Sequence, residues 1–149
     1  MRDLLHVNII DELSMGYAAH SHSLWEIVYY IEGTGTLKVG DELIQFEPKK
    51  IVCQPPDVIH SEVSEKGFRN IHFFVQTFKP LGTGIPQFYD NESCDFQNIL
   101  LQINKLYHKK QSNWRNIVES LLGALYQYMV SWYYEKRISP FVEKFENIL

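Results

Sequence analysis

The chain changes period once, near Phe78, and that change sets the fold class. Before it come short runs rich in aromatic and β-branched residues, each ended by a turn signal. LWEIVYYI (24–31), TGTLKV (34–39), ELIQF (42–46), KIVCQ (50–54), VIHSEV (58–63) and NIHFFVQTF (70–78) follow one another at close spacing. Gly40-Asp41 separates two of these runs by two residues, and glycine at the first position supplies the positive φ of a hairpin turn. Pro48, Pro55 and Pro56 fall between runs, where no ladder N–H is lost. Many short strands in succession predict a barrel or a sandwich.

Residues 79–95 show no period and read as a connecting loop. From residue 96 the apolar positions recur at helical spacing. Phe96, Ile99, Leu100, Ile103, Leu106 and Tyr107 form one stripe, and the cations of HKK (108–110) suit its C-terminus. Trp114, Ile117, Val118, Leu121, Leu122, Leu125, Tyr128, Met129 and Trp132 form a second, with Ser112 as the expected N-cap. The second helix, about six turns over 113–136 at ~3.6 residues per turn, carries a wide stripe. That stripe serves the sheet, a second copy of the chain, or both. A third helix is predicted to open at Ser139-Pro140, with Phe141, Val142, Phe145, Ile148 and Leu149 on its apolar face. A helix that starts well and stops on its own apolar stripe predicts that more chain follows.

Composition removes several classes. A length of 149 residues is one domain's worth, and 45% hydrophobic residues can build a core. No apolar run approaches the ~18 residues of a membrane-spanning helix, and MRDLLHVNIIDEL is not a signal peptide. The cytoplasm is therefore the expected compartment, with Cys53 and Cys94 as free thiols. A net charge of −4 argues against broad nucleic-acid binding by this chain.

Residues 20–33 read HSHSLWEIVYYIEG. Side chains alternate across a strand, so a continuous strand over 20–30 would put His20, His22, Glu26, Val28 and Tyr30 on one side. His60 recurs after PPDVI at the start of a later run. Three imidazoles and a carboxylate on facing strands suit a divalent first-row metal, each imidazole neutral and giving its other N–H to an acceptor. Two further readings stay open: hydrogen-bonding groups lining a small-molecule pocket, and structural residues satisfied within the sheet. Tyr30 and Phe74 either line the same cavity or fill the core, and His72 is a further polar candidate for the pocket. Trp25, of opposite parity to Glu26, is expected to face outward under a helix, and Cys53 to be a small buried hydrophobe.

His20-x-His22, three residues, Glu26, six residues, Gly33 resembles the first motif of the cupin β-barrels, and Pro55-x-Asp57-x-x-His60 resembles the second. The match departs at four places: Gly16 is not at the spacing of the family's leading glycine, Lys49 and Asp57 stand at glycine positions, and Ser64 stands where asparagine is usual. A small barrel, a loop, two helices and then ISPFVEKFENIL resembles the sensor half of AraC-type transcription regulators.

That resemblance implies a mainly β fold with C-terminal α: a cupin-like β-barrel (double-stranded β-helix) over 1–78, a loop over 79–95, and two antiparallel amphipathic helices for dimerisation over 96–137. Residues 138–149 would begin a truncated DNA-binding domain. It implies a non-enzymatic, cytoplasmic domain that senses a small effector, a sugar among the candidates. A homodimer would form through the C-terminal helices, and DNA would be met only through a part absent from this chain. The ligand-binding set would be His20, His22, Glu26, Tyr30, His60, His72 and Phe74. In the metal reading His20, His22, Glu26 and His60 would hold Zn, Ni, Fe or Mn. The alternative is a small metal-dependent cupin enzyme of the dioxygenase or isomerase type, with coordination positions open to substrate.

Overall fold

The computed structural model describes the backbone of residues 1–146 and the side chains of 1–136. Eight strands come first: β1 (Arg2–Ile9), β2 (Ser14–His20), β3 (Trp25–Gly33), β4 (Gly35–Val39), β5 (Glu42–Phe46), β6 (Lys50–Gln54), β7 (His60–Thr77) and β8 (Gln87–Tyr89). Helices α1 (Asp95–Lys109) and α2 (Trp114–Glu146) follow. The strand order is β5-β4-β7-β3-β6-β8, and β1 and β2 both pair with β7. β7 is the spine. Its first residues pair with β2 and β4, and its last ten with β3 and β1.

The sheet has two buried faces, so its central strands lose the polar alternation of a half-exposed strand. On β3, Ile27 and Tyr29 face one core while Val28 and Tyr30 face another. The first core is roofed by the helices: Phe96, Leu100 and Ile103 of α1, and Val118, Leu122, Leu125 and Met129 of α2, pack on Ile51, Cys53, Ile71, Phe73 and Val75. Burying each large side chain contributes about 1.5–3 kcal/mol. The second core, inside the curl of the sheet, holds Leu37, Val39, Ile44, Phe46, Val52 and Phe68. The stripe of α2 thus packs on the sheet, with Cys53 Sγ 3.9 Å from Met129 Sδ. Trp25 lies on the helix side against Phe78, as its parity predicts.

The Gly40-Asp41 hairpin forms as expected, with Val39 opposite Glu42 and Gly40 at φ +58°. Other expectations are corrected. The runs 58–63 and 70–78 belong to one strand, β7. SEKGFR between them looks like a turn, but Ser64 Oγ accepts the Gly67 N–H at 3.0 Å and donates to the Thr34 carbonyl at 2.6 Å, holding an irregular stretch within the strand. The 79–95 loop contains β8, whose three residues pair with β6 and are too few to show a period. The N-terminal segment supplies β1 and β2.

Ser112 is not the cap of α2. Asn113 precedes its first residue, with φ +63° and its Oδ1 accepting from Asn116 Nδ2. α2 also runs through Ser139 and Pro140 to Glu146, where a new helix was predicted to start. A proline removes one N–H from the ladder, and the helix-compatible residues on both sides carry the backbone past it. The apolar face predicted for the third helix lies outside the described side chains. Among the described residues, no helix is long and apolar enough to cross a membrane.

Candidate functional site: four converging ligands and a small cavity

His20 ends β2, His22 lies in the loop that follows, Glu26 is on β3 and His60 opens β7. The predicted single strand over 20–30 does not exist, because the chain turns at 21–24. The four side chains meet nonetheless. Their ligand atoms all lie within 4.8 Å of one another. Pairing of His20 with His60 across β2 and β7 brings two imidazoles together, and the Asp57 N–H holds the His22 carbonyl at 2.8 Å. Asp57 and Lys49, the two residues at glycine positions, both adopt positive φ (62° and 77°). The backbone there keeps the conformation that glycine would take without strain.

Each imidazole turns Nδ1 to a backbone carbonyl: His20 to Ala18 at 2.7 Å, His22 to Leu24 at 3.2 Å and His60 to Val58 at 3.3 Å. A carbonyl only accepts, so Nδ1 carries the proton and Nε2 of each neutral ring is left as an acceptor. The three Nε2 atoms converge. His20 and His60 Nε2 are 3.0 Å apart, and Glu26 Oε1 is 3.6 Å from His22 Nε2 and 3.8 Å from His60 Nε2. His22 Nε2 is buried with no hydrogen-bond partner. Burial, reinforced by His20 and His22, pushes His60 down to about 4, so it is neutral at pH 7. Burial raises Glu26 to about 7, with His20 opposing.

Two neutral rings in these tautomers would set acceptor against acceptor at 3.0 Å, beside a carboxylate and the unpartnered Nε2 of His22, an arrangement that a shared cation or proton relieves. Ligands at ~2.0–2.2 Å from a metal lie roughly 3.0–3.6 Å apart, close to the spacings of this set. The residues therefore fit a divalent metal, with the tautomers already fixed by the backbone.

Beside the quartet lies a cavity of about 150 Å³, lined by Tyr17, His20, Glu26, Val28, Glu62, Asn70, His72 and Phe74. His72 and Phe74 are thus in the lining. His72 Nδ1 meets Asn70 Oδ1 at 3.0 Å, and burial, with His6 adding, lowers its pKa to about 4. Tyr30 is not in the lining. Its ring stacks on Phe46 at 3.9 Å in the inner core, and its hydroxyl donates to Glu62 Oε2 at 2.5 Å. Burial raises Glu62 to about 7, with the Tyr30 bond and His20 working against it.

Glu62, Asn70 and Tyr17 line the cavity without having been singled out in the sequence, while Val28 was placed on the face of the four ligands but not among the candidate site residues. Glu62 stands two residues beyond His60 and Asn70 two before His72, so strand alternation alone identifies both. Tyr17 was hidden with β2.

The family model for the AraC-like ligand binding domain matches residues 14–122. No curated protein matches the chain in sequence. Among solved structures, a Bacillus subtilis oxalate decarboxylase with Mn(II) centres is 21% identical over 43% of this chain and 19% of its own, with a TM-score of 0.38. This chain thus spans about a fifth of that protein. A cupin protein from Bacteroides fragilis is 18% identical over 52% of this chain and 69% of its own, with a TM-score of 0.42. A conserved Streptococcus pyogenes protein of unknown function is 15% identical over 53% and 69%, with a TM-score of 0.44. The matched span takes in β2, every sheet strand after it, all of α1 and the start of α2, which includes each wall of the cavity and all four converging ligands. The chain belongs to the family of AraC-like ligand binding domains, a cupin-type fold.

Proposed function

We propose that this domain is the effector-sensing part of a transcription regulator, and that the effector is read in the small cavity beside a divalent metal held by His20, His22, Glu26 and His60. The observation that carries the reading is the set of three Nε2 acceptors, each fixed by its Nδ1–H, converging with Glu26 around the unpartnered Nε2 of His22. The metal would supply positive charge and open positions for a ligand oxygen.

The residues of this chain set what enters. A volume near 150 Å³ is about half the ~300 Å³ lower end of ordinary small-molecule sites. The described lining holds no Lys or Arg, but offers Glu62, Asn70 and His72 for hydrogen bonds and Phe74 and Val28 as an apolar wall. This suits a small polyhydroxylated molecule of monosaccharide size or less. Effector binding would favour one arrangement of β2, the barrel and the helices through differential affinity. Dimerisation through the helices, and DNA contact through a separate DNA-binding part of the regulator, complete the reading.

The same donor set favours one other reading, a metal-dependent cupin enzyme. The two are separated on purified, chelator-stripped protein titrated with Zn, Ni, Fe(II) or Mn, followed by thermal unfolding with monosaccharides and small hydroxy acids. The sensor reading expects near-stoichiometric uptake of one metal, a rise in Tm with metal and a further rise with ligand, and the ligand recovered unchanged. His60→Ala abolishes the first rise. Uptake below about a tenth of an equivalent, with no change in Tm, sinks the metal. Conversion of the ligand sinks the sensor in favour of the enzyme.

A further inference from the structure

A second, larger cavity lies outside the barrel. It is a cleft of about 730 Å³ between the 81–86 segment, β8 and residues 132–136 of α2. Its volume is within the ~300–1,000 Å³ of small-molecule sites. Two features set it apart from a surface groove. The first is Lys50, the opening residue of β6, which lines the cleft though only 8% exposed. Lysine is almost never buried unpaired, yet the bond found for its Nζ is to Tyr89 Oη at 3.3 Å, with Nζ 4.7 Å from the centre of the Tyr89 ring. Among the described residues, no carboxylate lies at ion-pair distance from Lys50 or Lys136. Lys136 lines the same cleft; burial lowers the pKa of Lys50, Glu47 opposes, and Lys136 adds a smaller lowering. The nearby Glu47 carboxylate is engaged by the Tyr89 hydroxyl, and Glu135, exposed like Lys136, also lines the cleft without reaching ion-pair distance of either lysine.

The second feature is the wall. Tyr89 and Phe88 come from β8, and Trp132 and Tyr133 from α2. One end is closed by Gly82, at φ +81°, where an added Cβ would stand 3.3 Å from the Tyr133 ring. Two cations and a set of aromatic rings around a cleft of this size match one ligand chemistry: a negative group attached to a flat apolar body.

We propose that this cleft is a second ligand site, for an aromatic carboxylate whose charge is met by Lys50 and Lys136 and whose ring lies among Tyr89, Trp132 and Tyr133. Such a ligand touches the sheet through Lys50 and Tyr89 and α2 through Trp132 and Lys136. It therefore clamps the 132–136 stretch of α2 to the barrel. β6 runs from Lys50 in this cleft to Gln54 opposite Glu26, so the two sites share one strand. The inference does not depend on a metal or an effector in the barrel.

The test uses the whole chain with benzoate, 2-naphthoate and indole-3-acetate as probes and their neutral amides as controls, in titration calorimetry and amide-shift mapping by NMR. The larger acids are expected to bind saturably at about 1 mM or tighter, with shifts at 81–89 and 132–136. Each amide is expected to bind about tenfold more weakly or worse, as when one charged contact is lost. Lys136→Gln, at an exposed helix position, and Lys50→Met are each expected to weaken the acids about tenfold, and His60→Ala to leave them unchanged. Absence of saturable binding by all three acids overturns the proposal, as does equal affinity for acid and amide. So does binding that survives Lys136→Gln at full strength but is lost in His60→Ala, which would place the ligand in the barrel.

Discussion

Replacing Asp90 with alanine removes a carboxylate that four donors share. Oδ1 accepts the N–H of Asn91 at 2.9 Å and of Phe96 at 3.0 Å, and Oδ2 accepts the Tyr29 hydroxyl at 2.8 Å and the Gln97 N–H at 3.1 Å. Cys94, at the N-cap position of α1, makes no side-chain cap bond. The first-turn amides are instead held from the preceding loop by Asp90 and by Asn91, whose Oδ1 accepts the Asp95 N–H at 3.0 Å. Tyr29 and Phe96 are both 0% exposed, so water cannot replace the lost oxygens there. A buried donor left alone costs about 1–3 kcal/mol, and a lost helix cap about 1 kcal/mol. Gln97 Oε1, 3.3 Å from the Tyr29 hydroxyl, recovers part of one bond.

Asp90→Ala should therefore cost about 3–5 kcal/mol, a large share of the ~5–15 kcal/mol that holds a domain folded. Tyr29→Phe should cost about 1 kcal/mol and Asp90→Asn an intermediate amount, because the carboxamide keeps one acceptor but turns an NH₂ towards a donor. Urea unfolding followed by circular dichroism measures all three, and the Tyr29/Asp90 double-mutant cycle should return a coupling of about 1 kcal/mol. A loss below about 1 kcal/mol for Asp90→Ala, at unchanged m, refutes the idea that this carboxylate ties α1 to the sheet.

Three further outcomes are expected. Glu62 has a folded pKa raised to about 7 by burial, so between its unfolded value of 4.5 and 7 the folded state holds the proton that the unfolded chain releases, and stability falls as pH rises through that window. Glu62→Gln keeps an acceptor for Tyr30 and should be level with wild type near pH 4 and gain up to about 3 kcal/mol above pH 7 in chelator-treated protein, while a gain independent of pH contradicts the assignment. Gly16 has φ +140°, and an added Cβ would stand 2.2 Å from the Glu62 carbonyl oxygen, so Gly16→Ala should displace β2, carry His20 away and lower metal uptake; unchanged uptake argues against a role for His20. Leu122→Ala, at a fully buried position between α2 and the sheet, should cost about 2–5 kcal/mol in thermal or urea unfolding, and a cost under about 0.5 kcal/mol would mean that α2 is not seated on the sheet.

Local chemistry determined a good deal of this protein without any structure. Short runs of aromatic and β-branched residues ended by turn signals specified β3 to β6. Gly40-Asp41 specified the hairpin, and the 3.6-residue period of the two apolar stripes specified α1 and α2, because each signal acts within a few residues of itself. The spacing of His20, His22 and Glu26 marked them as candidate site residues for the same reason.

What the sequence left open was decided at long range. Ser64 and Gly67 hold β7 together through bonds to each other and to Thr34, and β8 exists because β6 offers it an edge. Tyr30 leaves the cavity for the inner core because Phe46 provides a face to stack on. Parity placed His20, His22 and Glu26 on one strand, with His60 at the start of another. Tertiary structure instead draws the four from the end of β2, a turn, β3 and the start of β7, and orients the three imidazoles through separate backbone carbonyls so that their Nε2 atoms converge beside the Glu26 carboxylate. A convergence of that kind depends on how strands distant in sequence pair, which no local period encodes.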